Sequence, residues 1–217
     1  MKDLFPDGVV FVQADDMLAA EPLRPEEAAQ ATRMGPARRR EYALGRACAR
    51  RALAALGIPD EPLLRGPDRA PQWPAGIIGS LTHTDGFCAA AVARRGSMLA
   101  LGLDAESAPL SGRAAHRVLD EQERAQLDAL ASPPAQGFAT LAFSAKESLY
   151  KALQPLCGRK LVFGDAAIEI DPGTRTFQIT LRARGEGALP PGTRIEGRYA
   201  VTPRCVLTSV VVRRVAR

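Results

Sequence analysis

The stretch Phe143-Ser144-Ala145-Lys146-Glu147-Ser148-Leu149-Tyr150-Lys151-Ala152 decides how the rest of the chain is read. From Phe138 to Leu153 the residues Phe138, Leu141, Ala142, Ala145, Leu149, Ala152 and Leu153 recur at the helical period, which predicts a helix with one buried stripe. Glu147 and Lys151, four residues apart, project together from nearly the opposite side, with Ser144 beside them. On an open surface such a pair contributes only about 0.2–0.5 kcal/mol. Phe143 and Tyr150 lie off the main stripe and require a second apolar neighbour. A helix covered on two sides leaves its charged strip in a groove, and the expected neighbour of the two rings is another lobe of the protein.

Working outward toward the C-terminus, strands are expected over 161–170, 174–183, 194–201 and 205–213, with an Asp171-Pro172-Gly173 turn after the first. Toward the N-terminus, Ser132-Pro133-Pro134 breaks a helix that begins near Asp120 with acids in its first turn and runs to about Leu130. Ser107 to Gly112 is the candidate linker. Before it, Ile77–His83, Phe87–Ala93 and Met98–Glu106 are expected to form an antiparallel meander, following a proline-rich loop from Pro59 to Pro74. A helix from Pro36 to about Leu56, a shorter one entered at Pro25 and a strand over 8–13 complete the first part. Helices followed by an antiparallel meander thus occur twice. The expectation is an α+β protein of two similar lobes, a pseudo-dimer divided as 1–106 and 107–217, with the active site in the cleft between them.

At 217 residues, 46% hydrophobic and 24% charged, the chain has ordinary globular composition, and no apolar run approaches the ~18 residues of a membrane span. The start lacks a signal-peptide pattern, so a cytoplasmic protein is expected. Cys48, Cys88, Cys157 and Cys205 show no metal-ligand spacing and fit small buried hydrophobes. The net charge of +5 favours an anionic partner, whether nucleic acid, a phosphorylated cofactor or an acidic protein. Low aromatic content argues against a stacking platform for single strands.

Three features carry chemistry. Arg46 lies at the edge of the buried stripe of its helix; if covered, it needs an anion or an internal carboxylate. Arg38, Arg39 and Arg40 at the start of that helix are expected to be a solvated cluster. Asp104 and Glu106 alternate with apolar residues and share one strand face, where like charges repel unless a cation separates them. With Glu147 they make a set of three carboxylates suited to Mg2+. Basic residues at Arg46, Arg65 and Arg69, and Lys146 and Lys151 could hold a multiply charged phosphate compound. A metal with a basic clamp is equipment for phosphoryl transfer. No Gly-x-x-x-x-Gly-Lys-Ser/Thr loop, kinase signature or Ser/His/Asp arrangement is present.

Gly79-Ser80-Leu81-Thr82-His83, Gly102-Leu103-Asp104-Ala105-Glu106 and Phe143 to Ala152 together resemble the three ordered signatures of the 4'-phosphopantetheinyl transferases. The likeness is to the two-lobed, single-chain type typified by the surfactin and enterobactin enzymes. Gln72-Trp73-Pro74-Ala75-Gly76 and Arg40-Glu41-Tyr42-x-x-Gly45-Arg46 resemble the enterobactin synthase component D branch, which points to siderophore biosynthesis. The resemblance implies Mg2+-dependent transfer of 4'-phosphopantetheine from coenzyme A to a serine of an apo acyl or peptidyl carrier protein, releasing adenosine 3',5'-bisphosphate. It also implies roles. Asp104, Glu106 and Glu147 would hold Mg2+, and Glu147 would act as base. Lys151 would neutralise the pyrophosphate. Arg46, Arg69, Thr82, His83 and Lys146 would contact coenzyme A. Ser144 and Ser148 would pack or cap, because the nucleophile belongs to the partner. A monomer that binds no nucleic acid is expected. The alternative is a non-enzymatic basic module for nucleic acid or an acidic protein, which leaves the three carboxylates unexplained.

Overall fold

The computed structural model describes residues 2–14, 21–130, 137–157, 161–182 and 189–214. The expected break at Ser132-Pro133-Pro134, the end of a strand at Ala183 and the Cys157 side chain lie outside the described residues. In chain order the elements are β1 (Val9–Gln13), α1 (Pro25–Gln30), α2 (Pro36–Ala55), β2 (Ile77–Thr84), β3 (Phe87–Arg94), β4 (Met98–Glu106), α3 (Gly112–Val118), α4 (Glu121–Asp128), α5 (Phe138–Cys157), β5 (Ala166–Asp171), β6 (Thr176–Leu181), β7 (Arg194–Val201) and β8 (Val206–Arg213). The α+β expectation agrees with this order.

Local chemistry sets the helix ends. Pro36 opens α2 behind Gly35, and Gly57 closes it at φ 71, with Ile58 N–H donating to Leu53 O at 3.1 Å. Asp120 caps α4: its carboxylate accepts from Glu123 N, and Glu123 returns the bond to Asp120 N at 2.9 Å. The helix α5 runs four residues beyond the expected end and includes Pro155 in its last turn.

Two antiparallel sheets form, in the orders β1-β3-β2 and β4-β8-β7-β6-β5. The expected three-strand meander is therefore corrected: β2 and β3 pair, but β4 pairs with β8, from Met98 opposite Arg213 to Glu106 opposite Val206. Turn signals predict where the chain reverses, not which strand it then joins. The apolar run of β8 offers β4 a partner with which it can be buried on both faces.

Those two faces order the layers. Leu101, Leu103 and Ala105 of β4 share a core with Ala89, Ala91 and Ala93 of β3, and with Leu207 of β8. The other face of β3 carries Cys88, Ala90 and Val92, which pack with residues of α2. On its far side the five-stranded sheet packs Ala100, Ile168, Phe177, Ile179 and Val210 against Leu141, Ala145, Leu149 and Leu153 of α5. The predicted buried stripe of α5 is thus the one observed. Among the described residues the ring neighbour of Phe143 and Tyr150 is not another lobe but Phe163, against which each packs at a tilt with ring centroids 5.7 Å apart. The short 3-10 turn after α5 brings Phe163 back along the helix, so the second cover comes from local chain. No helix among the described residues is long and apolar enough to cross a membrane.

Candidate active site

A cavity of about 340 Å3 opens between α2, the loop through Arg65 and Arg69, β2 and the end of α5. On its α2 wall Arg46 is 4% exposed, and its guanidinium stacks 4.2 Å from the Tyr42 ring centroid. Its Nε and Nη2 have no hydrogen-bond partner among the described residues. Burial pulls the Arg46 pKa down, partly opposed by Tyr42 and Glu27. The internal carboxylate that could have paired with it, Glu27, is taken: it accepts from Arg50 Nη1 at 2.8 Å, Leu63 N at 3.0 Å and Arg24 N at 2.9 Å. Arg46 is therefore a buried cation that still lacks its anion.

The opposite wall repeats the pattern. Thr82 is 3% exposed, and its Oγ1 is also buried without a partner among the described residues. His83 is exposed at the rim, where the Arg38 guanidinium donates to its Nε2 and Glu41 lies 3.6 Å from its Nδ1. The part of this imidazole that is covered by the wall, and then Arg38, lower its pKa. Arg38 thus belongs to the cavity wall and not to a purely solvated cluster. Its position two helical turns before Arg46, with Tyr42 midway, was the available signal. Both Arg65 and Arg69 reach the cavity. Gln30 brackets Arg65, accepting from its N–H at 2.8 Å and donating to its carbonyl at 3.1 Å. Arg69 adopts φ 69 in a tight turn that Asp68 closes by accepting from Ala70 N at 3.0 Å.

The floor is reached through Lys151. Its Nζ donates to Asp104 Oδ1 at 2.7 Å, Leu103 O at 3.1 Å and Leu81 O at 3.3 Å, bridging β2, β4 and α5. Asp104 is 5% exposed and accepts from Ser144 Oγ at 2.8 Å through its other oxygen, so it is no solvated strand edge. Ser144 Oγ also lies 2.9 Å from Thr208 Oγ1. The serine expected to pack or cap therefore orients a carboxylate. The Glu106 carboxyl is pushed up to about 7, first by burial and then by Asp104, with Glu147 adding to the rise and Lys151 opposing it. Asp104 and Glu147 thus both act on Glu106, although no group of three such side chains among the described residues is arranged to grip a metal ion.

A family model described as the 4'-phosphopantetheinyl transferase N-terminal domain matches residues 26–93, and one described as the 4'-phosphopantetheinyl transferase superfamily matches 100–198. The chain is 44% identical over 195 residues to 4'-phosphopantetheinyl transferase Svp of Streptomyces mobaraensis, covering 88% of this chain and 78% of Svp. The chain belongs to the 4'-phosphopantetheinyl transferase family. It is also 39% identical over 197 residues to the transferase PptT of Mycobacterium tuberculosis, covering 87% of this chain and 85% of PptT. The match to enterobactin synthase component D of Salmonella typhi is shorter, 37% over 121 residues, covering 54% of this chain and 49% of that protein.

In this transferase the third signature divides between two jobs. Glu147 is half-buried beside a second cavity of about 550 Å3, which it shares with Lys151 and Gln154. Lys146, expected to contact phosphate, is turned away. It is 1% exposed and held 2.8 Å from Glu123, with Val118 O at 2.9 Å and Phe163 O at 3.2 Å as further acceptors. It sits inside the core on the far side of α5 from Lys151, where no phosphate can reach it. Neither the Lys146–Glu123 nor the Arg50–Glu27 pair was legible beforehand, because both join residues more than twenty positions apart.

Proposed function

We propose that this transferase moves the 4'-phosphopantetheine arm of coenzyme A onto a serine hydroxyl of an apo acyl or peptidyl carrier protein. The phosphoanhydride P–O bond breaks, a serine P–O bond forms, and adenosine 3',5'-bisphosphate leaves. The observation that carries the reading is Arg46, a buried guanidinium with two nitrogens lacking partners in a cavity also edged by Arg38, Arg65 and Arg69. A donor with several phosphates supplies the anions that this wall lacks.

The chemistry of the donor set suits Mg2+: Asp104, Glu106 and Glu147 offer hard oxygen ligands. A cation beside them would offset both the burial that chiefly raises the Glu106 pKa and the repulsion from Asp104, once the carboxylates, which are not arranged to grip an ion here, draw together. When bound, the ion would neutralise the pyrophosphate. The protein's own residues do the rest. Ser144 fixes Asp104, Lys151 holds a point charge beside it, and Glu147 takes the serine proton. Arg46 and Thr82 anchor the donor, with His83 and Arg69 as further contacts. The site then lies in a cleft between two lobes of a monomer, with the division before β4 and not after residue 106, because that strand pairs with β8.

Intact-mass measurement on a panel of apo carriers, with coenzyme A and Mg2+, should show one added phosphopantetheine on at least one of them. No shift on any acyl, peptidyl or aryl carrier, with folded protein, would refute the reading. Coenzyme A with Mg2+ should also raise the melting temperature, as a basic module binding other anions would not. A further expectation concerns Arg46→Met. It should weaken coenzyme A binding by roughly 10–100-fold, the loss of a charge-assisted hydrogen bond. It should also raise the melting temperature of the protein alone, because an unpaired buried charge is removed. Calorimetry and thermal denaturation check both; unchanged affinity would remove Arg46 from the donor site.

A further inference from the structure

Lys146 has no part in the reaction just described, yet it and Glu123 form one of the most deeply buried ion pairs in the protein, at 1% and 3% exposure. The pair is a hub. Both Glu123 oxygens face the ammonium, Oε1 at 2.8 Å and Oε2 at 3.0 Å. Oε1 also accepts from Ile168 N at 2.9 Å, and Oε2 from Asp120 N at 2.9 Å. The ammonium donates in addition to Val118 O and Phe163 O. One pair therefore ties together the end of α3, the cap of α4, the middle of α5, the turn at Phe163 and the start of β5.

Two of these ties bear on the second cavity, next to Glu147. Its wall is Leu161, Val162 and Phe163, and Val162 stands 62% exposed at its mouth. The wall is pinned by the Phe163 carbonyl on Lys146, by the Phe163 ring against Phe143 and Tyr150, and by Tyr150 OH donating to Val162 O at 2.9 Å. The hub also fixes the rotation of α5, and with it the direction of Glu147 one residue on. The donor wall is built separately: Arg46, Trp73 and Thr82 come from α2, the loop and β2, and none of them touches the hub. A buried ion pair adds little stability over an apolar pair of equal volume, so its directional bonds to two carbonyls are the more informative feature.

We propose that the Lys146–Glu123 pair is a positioning device for the acceptor side of the site, holding Glu147 and the 161–163 wall where an incoming carrier serine must approach. Lys146 is a positioning residue and makes no contact with coenzyme A. The inference rests on the transfer reaction proposed above. A small displacement of a reacting group, of about 1 Å, can cost on the order of a hundredfold in rate, so the hub can matter without touching substrate.

The test compares wild type, Lys146→Met and the double variant Glu123→Gln/Lys146→Met. In the double variant no charge is left buried, so it keeps the test available if the single variant fails to fold. Coenzyme A binding is followed by the fluorescence of Trp73, the protein's one tryptophan. Transfer is followed at varied apo-carrier concentration. The expected result is an unchanged coenzyme A Kd in both variants when binding is measured without Mg2+, with the Mg2+-dependent kcat/KM for the carrier lowered at least about tenfold in both. Loss of coenzyme A affinity in proportion would make Lys146 a donor contact and overturn the proposal. So would wild-type transfer by a folded double variant, which would make the pair merely structural. Wild type that binds coenzyme A but modifies no carrier would instead remove the transfer reading itself.

Discussion

Gly102→Ala should leave little or no folded protein, although it adds a single methyl group. A Cβ at residue 102 would lie 1.7 Å from Ser148 O, 2.7 Å from Ser148 C and 3.1 Å from Ala152 N. All three are backbone atoms of α5, so no side chain can rotate away. Relief requires β4 and α5 to separate, and that contact holds much of the core between the five-stranded sheet and α5, with Leu149, Ala152 and Leu153 completely or almost completely buried. Overpacking a tight core ordinarily costs about 1–3 kcal/mol. Here the shift also opens the surrounding close-packed layer, and the sum approaches the whole stability of a domain, about 5–15 kcal/mol. Soluble yield and thermal unfolding are the readouts, with Gly96→Ala as the control because no atom lies within 4 Å of its added Cβ. A Gly102→Ala protein melting with wild type would show that strand and helix do not approach so closely in solution. The same contact serves the site: it brings α5 near enough for Ser144 and Lys151 to reach Asp104.

That glycine marks the limit of what the sequence discloses. Periodicity revealed α5 and its buried stripe, and alternation put Asp104 and Glu106 on one face, because both patterns repeat within a few residues. The need of Arg46 for an anion was likewise legible from its place at the edge of an apolar stripe. Partners set by tertiary approach were not. Glu27 chooses Arg50 over Arg46 across 23 positions, Glu123 chooses Lys146 across 23, and β4 joins β8 a hundred residues later. Lys146 shows the consequence. It stands next to Glu147 in the signature, and the resemblance made it a contact to phosphate. A step of one residue turns a side chain about 100° around a helix, enough to carry Lys146 from the groove into the core.

Lys151→Met should lower the transfer rate by roughly 10²–10³ while the protein stays folded. Methionine keeps the length and apolar stem of lysine, so α5 retains its packing and loses the charge alone. Three acceptors converge on that charge: Asp104 Oδ1, Leu103 O and Leu81 O. Lys151 is also common to both cavities, the one holding Arg46 and the one beside Glu147. A point charge at that junction can follow negative charge as it gathers on the leaving phosphate, which is where stabilisation speeds the reaction and not merely binding. The effect should therefore fall on kcat more than on the coenzyme A Kd. Lys151→Arg should rescue poorly, because a planar fork cannot meet three acceptors arranged around one nitrogen. The check is single-turnover transfer by each variant at saturating donor, beside its melting curve. If Lys151→Met turned over like wild type, the ammonium would be a structural bridge between β2, β4 and α5, and the chemistry would have to rest on the carboxylates and Arg46 alone.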